Sequence, residues 1–326
     1  MRFLLVFLLL LAAPLHALDC SGKDLLADMP LEQRLKLEAQ AGIAPYGEGL
    51  LWRAAKGDTK LTIFGTFHTP HDDTQAQFDA LLPRAMAADF SYFEMDHEDQ
   101  KAFEKRSLTD PSIMFITEGP TLPELLDETD WQRLRAQMAD RGMPSFMVAK
   151  FKPIFISMML GMSPCQMKQQ KSGAKGIDAR LSLALSEAGR DTRSIEDTLT
   201  TMHILDAFDQ AEQVAMIKLS LDLPIAPDDL QETMLRLYDK GRIAMLWEYA
   251  RAMSIEYGGP TARADFDKFE DVLLTQRNLK WIDEIEANAT GHTVFIAVGA
   301  GHLPGKIGLL NLLAERGYQI EPLTLE

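Results

Sequence analysis

The sequence has few basic residues, with 33 Lys and Arg against 48 Asp and Glu among 326 residues. Nucleic acids and anionic membrane surfaces attract basic patches, so this acidic balance argues against both as partners. Beyond the N-terminus the sequence also lacks an uninterrupted apolar run, because its most apolar internal stretch, residues 151–162, contains Lys152 and Pro153. A membrane-spanning helix needs about 20 apolar residues. We therefore expect no integral membrane association, and the composition carries no information on the oligomeric state.

Several common catalytic signatures are missing from the sequence. It contains no Gly-x-Ser-x-Gly elbow, no His-Glu-x-x-His helix, no dinucleotide fingerprint and no phosphate-binding loop. These absences argue against a serine hydrolase with a nucleophile elbow, a zinc protease of the helical type and a nucleotide-dependent enzyme.

The long apolar run is confined to the N-terminus. Arg2 precedes an apolar stretch over residues 3–14, and small residues follow around Ala17. This pattern is typical of a secretory signal peptide, and a buried N-terminal helix is the alternative. We predict that residues 1–17 are a signal peptide and that the mature protein is periplasmic or secreted.

Cysteine is scarce, since only Cys20 and Cys165 occur. Neither has a second cysteine at the short spacing used by structural zinc sites. An even number of cysteines in an exported protein indicates a disulfide, and two independent buried thiols are the alternative. We therefore predict a Cys20–Cys165 disulfide.

Apolar periodicity predicts an α/β protein. Strand patterns flank a stretch from about residue 99 to 257 in which apolar residues recur at helical spacing, with a short strand around 193–195. The remaining strands are predicted over residues 49–54, 60–67, 90–95, 293–298 and 319–325, and helices over residues 24–42, 78–88 and 308–316. We predict one domain over residues 18–326, with a central mixed sheet, flanking helices and a large helical insertion over about 99–257.

Two apolar strands end in the same pattern, Gly-x-x-His. They are Leu61-Thr-Ile-Phe-Gly65-Thr-Phe-His68 and Phe295-Ile-Ala-Val-Gly299-Ala-Gly-His302. Glycine permits a sharp exit from a strand and a close backbone approach. In α/β sheets ligands bind beyond the carboxyl ends of the strands, so we expect His68 and His302 to converge there.

A carboxylate interrupts a third apolar strand at Glu94, in Ser91-Tyr-Phe-Glu94. A buried carboxylate is costly unless it is paired, protonated or bound to a metal ion. Two histidines and one carboxylate form a common ligand set for catalytic metal ions. The residues therefore predict a metal centre of His68, Glu94 and His302, and two structural histidines at strand ends are the alternative.

The C-terminal stretch resembles the signature of the TraB/GumN family. It reads Val294-Phe-Ile-Ala-Val-Gly-Ala-Gly-His302-Leu-Pro-Gly305. Other segments match family motifs from about residue 50 to the end of the chain: Gly65-Thr-Phe-His68, Phe93-Glu94, Lys175-Gly-Ile-Asp178, Glu196-Asp-Thr198 and Arg277-Asn278 with Trp281.

The resemblance implies a fold shared with erythromycin-esterase-like and haem-binding ChaN-like proteins. It also implies a place beside the Tiki proteases, which are metal-dependent and use both Gly-x-x-His histidines and a glutamate. By that analogy His68, Glu94 and His302 are metal ligands and catalytic residues, with a divalent ion such as Zn, Mn or Co.

Arg277 and Asn278 are predicted to assist catalysis. Arg277 would stabilise developing negative charge, and Asn278 would hydrogen-bond substrate or metal-bound water; an exposed helix face is the alternative. Asp178 is predicted mainly as a helix cap, Glu196 as a partner for a buried arginine, and His71 as part of an exposed loop.

These features predict a metal-dependent hydrolase of peptidase or amidase type, acting on a peptide or a small molecule. Esterase-like chemistry with a histidine base and no metal is an alternative within the enzyme class. The alternative outside it is a periplasmic protein that binds haem or metal without turnover, or that sequesters a peptide. Family membership does not by itself define a reaction.

Overall fold

The computed structural model describes residues 20–197 and 207–325 of the chain. The predicted signal peptide lies outside these residues. No helix within the described ranges is both long enough and apolar enough to cross a membrane.

Strands of the described residues form one mixed sheet with the order β4-β3-β5-β2-β1-β6. The neighbours β4, β3, β5 and β2 run parallel, whereas β1 is antiparallel to both β2 and β6. Helices flank the sheet, which confirms the predicted α/β class. The strands are β1 (Leu51–Lys56), β2 (Thr59–Thr66), β3 (Phe90–Phe93), β4 (Thr192–Ser194), β5 (Thr293–Gly299) and β6 (Gln319–Leu323).

The helices up to the fourth strand are α1 (Leu31–Ala41), α2 (Thr74–Ala87), α3 (His97–Thr109), α4 (Leu122–Leu125), α5 (Glu128–Asp140), α6 (Ser145–Val148), α7 (Pro153–Leu160), α8 (Pro164–Lys171) and α9 (Ile177–Glu187). Those after it are α10 (Gln210–Asp222), α11 (Pro227–Asp239), α12 (Ile243–Tyr257), α13 (Ala262–Glu270), α14 (Gln276–Asn288) and α15 (Leu309–Glu315).

Both faces of the sheet are covered, which explains the continuous apolar sequence of β5. On one face Trp281 and Ile285 of α14 pack against residues such as Ile296. On the other face Leu81 of α2 and Leu181 of α9 belong to a second cluster. A third apolar cluster lies among the helices between α4 and α10. The packed sheet therefore supports the residues that follow its strands.

Between residues 99 and 257 the described chain is helical apart from β4, turns and loops. Helix α10 packs against α7 and α5. This agrees with the helical character predicted for the stretch, while the division of the chain into domains stays a prediction.

Several predicted elements have different bounds in the structure, and two of the differences have an identifiable cause. The helix expected over residues 24–42 begins only at Leu31, because the preceding chain instead hydrogen-bonds to α11, where Leu25 N donates to Thr233 Oγ1 at 2.9 Å. Strand β3 ends at Phe93, because the chain turns toward α3, which Asp96 caps by accepting a hydrogen bond from Asp99 N.

The structure contains the predicted disulfide between Cys20 and Cys165, whose Cα atoms are 5.5 Å apart. It joins the first described residue to helix α8.

Candidate active site

Four parallel strands deliver polar side chains to the same edge of the sheet. His68 lies two residues after β2, Glu94 directly follows β3, Glu196 lies two residues after β4, and His302 ends a short 3-10 turn after β5. Because β5 lies between β2 and β3, the residues that follow these three strands converge.

Glycine is required at both Gly-x-x-His motifs because the chain is crowded there. A Cβ atom on Gly65 would lie 2.9 Å from Ala300 Cα. A Cβ atom on Gly299 would lie 3.0 Å from Glu94 Oε1 and 3.2 Å from His68 Nε2. The two glycines therefore let the strand ends come close enough for the polar side chains to meet.

Glu94 lies at the centre of the group. Its Oε1 accepts a hydrogen bond from Gly299 N at 2.7 Å, and its Oε2 accepts one from Arg277 at 2.6 Å. The Nε2 atoms of His68 and His302 each lie 3.8 Å from Oε1 of Glu94. Burial opposes ionisation of Glu94, but the Arg277 guanidinium, the His68 imidazole and the Gly299 N–H outweigh it and hold the pKa of this carboxyl well below its usual range.

His302 is buried and held as a neutral imidazole. Asn278 donates its amide N–H groups to the carbonyls of His302 at 3.2 Å and Ile307 at 2.8 Å, which leaves its Oδ1 to accept from His302 Nδ1 at 2.7 Å. The lone pair on His302 Nε2 therefore accepts from Arg277, 3.1 Å away. Burial, with the Arg277 charge, lowers the pKa of His302 to about 3 despite the nearby Glu94 carboxylate.

His68 faces solvent, with 59% of its side chain exposed. Its Nδ1 lies 2.8 Å from Asp178 Oδ2, which fixes the ring so that Nε2 points toward Glu94. The surrounding protein favours the neutral ring, yet the Asp178 and Glu94 carboxylates outweigh that effect and raise the pKa of His68. Water screens part of this attraction. The site therefore has one open imidazole, whose protonated form the two carboxylates favour, and one buried, neutral imidazole.

Arg277 is buried and links the carboxylates that follow β3 and β4. Its Nε lies 3.1 Å from both carboxylate oxygens of Glu196, and its terminal nitrogen NH2 lies 2.6 Å from both Glu196 Oε1 and Glu94 Oε2. Trp281 donates its indole N–H to Glu196 at 3.1 Å, and its ring lies 4.2 Å from that of His302. The Trp281 ring thereby packs beside the charged cluster.

A π-helical turn, Asp271–Thr275, directly precedes α14 and the site residues Arg277 and Asn278. Arg277 also donates to the Leu273 carbonyl within this turn at 3.2 Å. Such turns insert an extra residue into a helix and often occur at functional sites. Here the turn precedes the helix that directs these two side chains into the sheet edge.

The structure brings together the five residues predicted as catalytic: His68, Glu94, Arg277, Asn278 and His302. Their catalytic roles stay predictions. Glu196 does pair with a buried arginine, as expected.

Two neighbouring interpretations were wrong. Asp178 is not the N-cap of α9, which is Gly176, and instead contacts His68, because the helix start packs against the His68 loop. His71 is not exposed: only 2% of its side chain is accessible, since it packs against Phe67 and Tyr238. The Gly-Ile-Asp motif was the available signal for Asp178, whereas His71 offered none.

The described ranges contain no group of three or more His, Cys, Asp or Glu side chains arranged to hold a metal ion. At this site Arg277 already supplies a cation, with nitrogens 3.1 Å from His302 Nε2 and 2.6 Å from Glu94 Oε2. Both imidazoles nevertheless have Nδ1 fixed by an oxygen and Nε2 directed at one carboxylate, which is the usual arrangement of metal-binding histidines. The donor set therefore fits an ion once Arg277 releases those two atoms.

The sheet and its polar edge define an α/β protein with a candidate active site at the carboxyl ends of parallel strands. The family model of the TraB/PrgY/gumN family matches residues 50–322, which include every residue of this site. The chain therefore belongs to the TraB/PrgY/gumN family. Neither a curated protein nor a solved structure matches it.

Proposed function

We propose that this protein is an exported, metal-dependent hydrolase of peptidase or amidase type. One observation carries the proposal: two imidazole Nε2 atoms lie 3.8 Å from the same oxygen of Glu94, at the edge of the sheet where α/β enzymes bind substrate. Export is supported by the N-terminal sequence pattern and by a disulfide.

His68, Glu94 and His302 would hold the ion, of which Zn, Mn and Co are candidates. A bound divalent ion supplies Lewis acidity and activates water at neutral pH. Asp178 and Asn278 would orient the two imidazoles through their Nδ1 atoms. Glu196 would keep Arg277 in the site after its other contacts are released, because it binds Arg277 through both carboxylate oxygens.

The chain's own groups are suited to stabilising a carbonyl that becomes negative. Substrate would approach from the side of His68, since His302 is buried and His68 is open. The guanidinium of Arg277 would stabilise the developing oxyanion. Glu94, held ionised, would accept a proton from the attacking water. The substrate is a peptide or a small molecule with an amide bond.

Mature protein purified without chelator tests the proposal through its bound metal and its activity. We expect stoichiometric Zn, Mn or Co by elemental analysis, and cleavage of internally quenched peptides that EDTA abolishes and added ion restores. His68→Ala and His302→Ala should each lose the metal and at least about 100-fold of the activity. His292→Ala, at an exposed histidine, is the matched control and should retain both.

The outcomes separate the alternatives. Cleavage that is insensitive to EDTA but lost in the histidine variants would support histidine-based esterase or amidase chemistry and overturn the metal requirement. A haem absorbance band, or tight metal binding without any cleavage, would support the binding protein instead. Metal-free protein with unchanged stability in both histidine variants would overturn the proposed centre.

A further inference from the structure

An apolar cleft lies among α7, α10, α11 and α12, with a volume of about 300 Å³. We define the apolar cleft by its main lining side chains: Phe67, Leu219, Leu223, Leu230, Met234 and Met253. The leucines and methionines among them are each partly open to solvent rather than sealed in a core. Small-molecule sites usually have volumes of about 300–1,000 Å³, so this cleft is among the smaller ones. Its size suits one side chain or a short acyl group.

The apolar cleft adjoins the loop that carries His68. Phe67, which lines the cleft, directly precedes His68 in the first Gly-x-x-His motif. Met234 lies one helical turn before Tyr238 on α11, and the Tyr238 hydroxyl donates to the Gly65 carbonyl at 2.9 Å. The Tyr238 ring also lies 5.1 Å from that of Phe67. One wall of the cleft is therefore anchored to the strand end that carries His68.

Two polar residues, Gln231 and Ser254, also line the cleft. Gln231 lines the cleft, and its side-chain Nε2 is buried without a hydrogen-bond partner among the described residues. A buried N–H group without a partner costs about 1–3 kcal/mol, so the Gln231 side chain gains a hydrogen bond if it turns toward an acceptor on a ligand in the cleft. Binding sites commonly combine apolar walls with a few polar groups of this kind.

We propose that the apolar cleft binds an aliphatic side chain of the substrate, with Gln231 donating to a backbone carbonyl beside it. An isobutyl or thioether side chain matches the leucine and methionine walls, and methionine adapts to ligands of different shape. Because Phe67 adjoins His68, the occupant positions the neighbouring amide bond at the candidate active site. The role in cleavage rests on the proposed hydrolase function, whereas binding in the cleft does not.

Binding is tested first with the uncharged dye 1-N-phenylnaphthylamine and the mature protein. The dye should bind saturably, and N-acetyl-leucinamide should displace it where N-acetyl-glycinamide does not. Ala250→Trp, which fills the cleft from α12, should weaken dye binding at least about tenfold. Ala136→Trp, at an exposed position of α5, is the matched control and should bind as the wild type.

Gln231→Leu keeps the size of the side chain and removes the donor. The variant should bind the dye as tightly as the wild type does. The concentration of N-acetyl-leucinamide needed to displace the dye should rise about threefold to tenfold. This conservative variant also keeps the test valid if Ala250→Trp fails to fold, which circular dichroism will show. Absence of saturable dye binding in the wild type, or unchanged binding in folded Ala250→Trp, would overturn the proposal.

Cleavage gives a second, separate readout. Among quenched peptides that differ at one position, those with Leu or Met there should be cleaved about 10- to 100-fold faster than those with Ala or Asp. Ala250→Trp should reduce this preference to about twofold while still cleaving the Ala peptide. If the wild type cleaved all the peptides at equal rates, the proposal that the cleft selects an aliphatic side chain of the substrate would be overturned. If the wild type cleaves none of the peptides, the hydrolase proposal fails. The dye experiment alone then decides whether the cleft binds an aliphatic group.

Discussion

Arg277 is the residue on which the charge balance of the site depends. It is buried between Glu94 and Glu196, so its removal leaves two carboxylates facing each other in a poorly solvated position. Removing one partner of a buried ion pair costs about 3–5 kcal/mol, far more than the pair contributes relative to apolar replacements. We therefore expect Arg277→Met to lower the free energy of unfolding by about 3–5 kcal/mol in urea titrations.

A second substitution separates charge from packing. Adding Glu196→Gln to Arg277→Met should recover part of the loss, because one uncompensated carboxylate is removed. Arg53→Met, which breaks an exposed pair with Glu321, is the control and should cost less than about 1 kcal/mol. Equal losses for Arg277→Met and Arg53→Met would show that the buried network does not carry the expected energy.

Gly176 fixes the position of the His68 loop through a close backbone contact. A Cβ atom at residue 176 would lie 2.2 Å from the His68 carbonyl oxygen, so the loop and the start of α9 would have to separate. We expect Gly176→Ala to lower the free energy of unfolding by about 1–3 kcal/mol and to reduce any activity that depends on His68. Gly42→Ala, with its nearest backbone contact at 3.3 Å, is the control for urea unfolding and should be near neutral.

Asp239 should make stability depend on pH in an unusual direction. Burial, with Asp73, Asp72 and Glu232 nearby, raises the pKa of Asp239 to about 6. Because the pKa of Asp239 is higher in the folded protein than in the unfolded chain, where it is about 4, its protonation stabilises the fold. This stabilisation is complete below about pH 4 and is lost as the pH rises through about 6. Asp239→Asn should therefore raise the melting temperature at pH 8 relative to the wild type, and change it little at pH 3.5. A difference independent of pH would contradict this assignment.

At the scale of elements, strand existence was predictable and strand ends were not. The apolar sequence of β5 predicts burial on both faces, and β1 with β2 reads as a hairpin around the Lys56-Gly-Asp58 turn; both are present. The early end of β3 could not be inferred, because Asp96, which caps α3, is also held by a hydrogen bond from Thr192 Oγ1 of β4 at 3.0 Å. Helix α1 is shortened for a similar reason, since the preceding residues bind α11.

The contact between α11 and β2 gives a prediction at this scale. Tyr238 of α11 is fully buried and donates to the Gly65 carbonyl at 2.9 Å. Tyr238→Phe leaves that carbonyl without this donor, so we expect a loss of about 1–3 kcal/mol in urea unfolding. Tyr257→Phe, at the more exposed end of α12, is the control and should change stability little. A loss no larger than the control would mean that α11 is held by packing without this hydrogen bond.

At the scale of the whole molecule, the convergence of the site was predictable but its contents were only partly so. Strand ends followed by His68, Glu94 and His302 must meet if their strands are parallel neighbours, and the sequence pattern allowed that inference. The insertion of Arg277 between Glu94 and His302 depends on how α14 packs on the sheet. No local sequence pattern indicates how close Arg277 comes to Glu94 and His302.

The Cys20–Cys165 disulfide joins two parts of the chain that are 145 positions apart in sequence. Closing so long a loop restricts the unfolded chain strongly, and disulfides typically contribute about 2–5 kcal/mol. Helix α8 also contacts the His68 loop, since Gln166, next to Cys165, donates to Thr69 Oγ1 at 2.9 Å. Replacing both cysteines by serine should therefore lower the free energy of unfolding by about 2–5 kcal/mol and loosen that loop.

Urea unfolding with and without a thiol reductant measures the first effect, and hydrogen exchange at residues 67–71 measures the second. The wild type with reductant should match the double serine variant, while the variant itself should not respond to reductant. Faster exchange in the His68 loop without a change in β5 would locate the effect at the link between α8 and Thr69. Equal stability of wild type and variant would show that packing of the helices around α11 already holds residues 20–30 in place, and that the covalent link adds nothing to it.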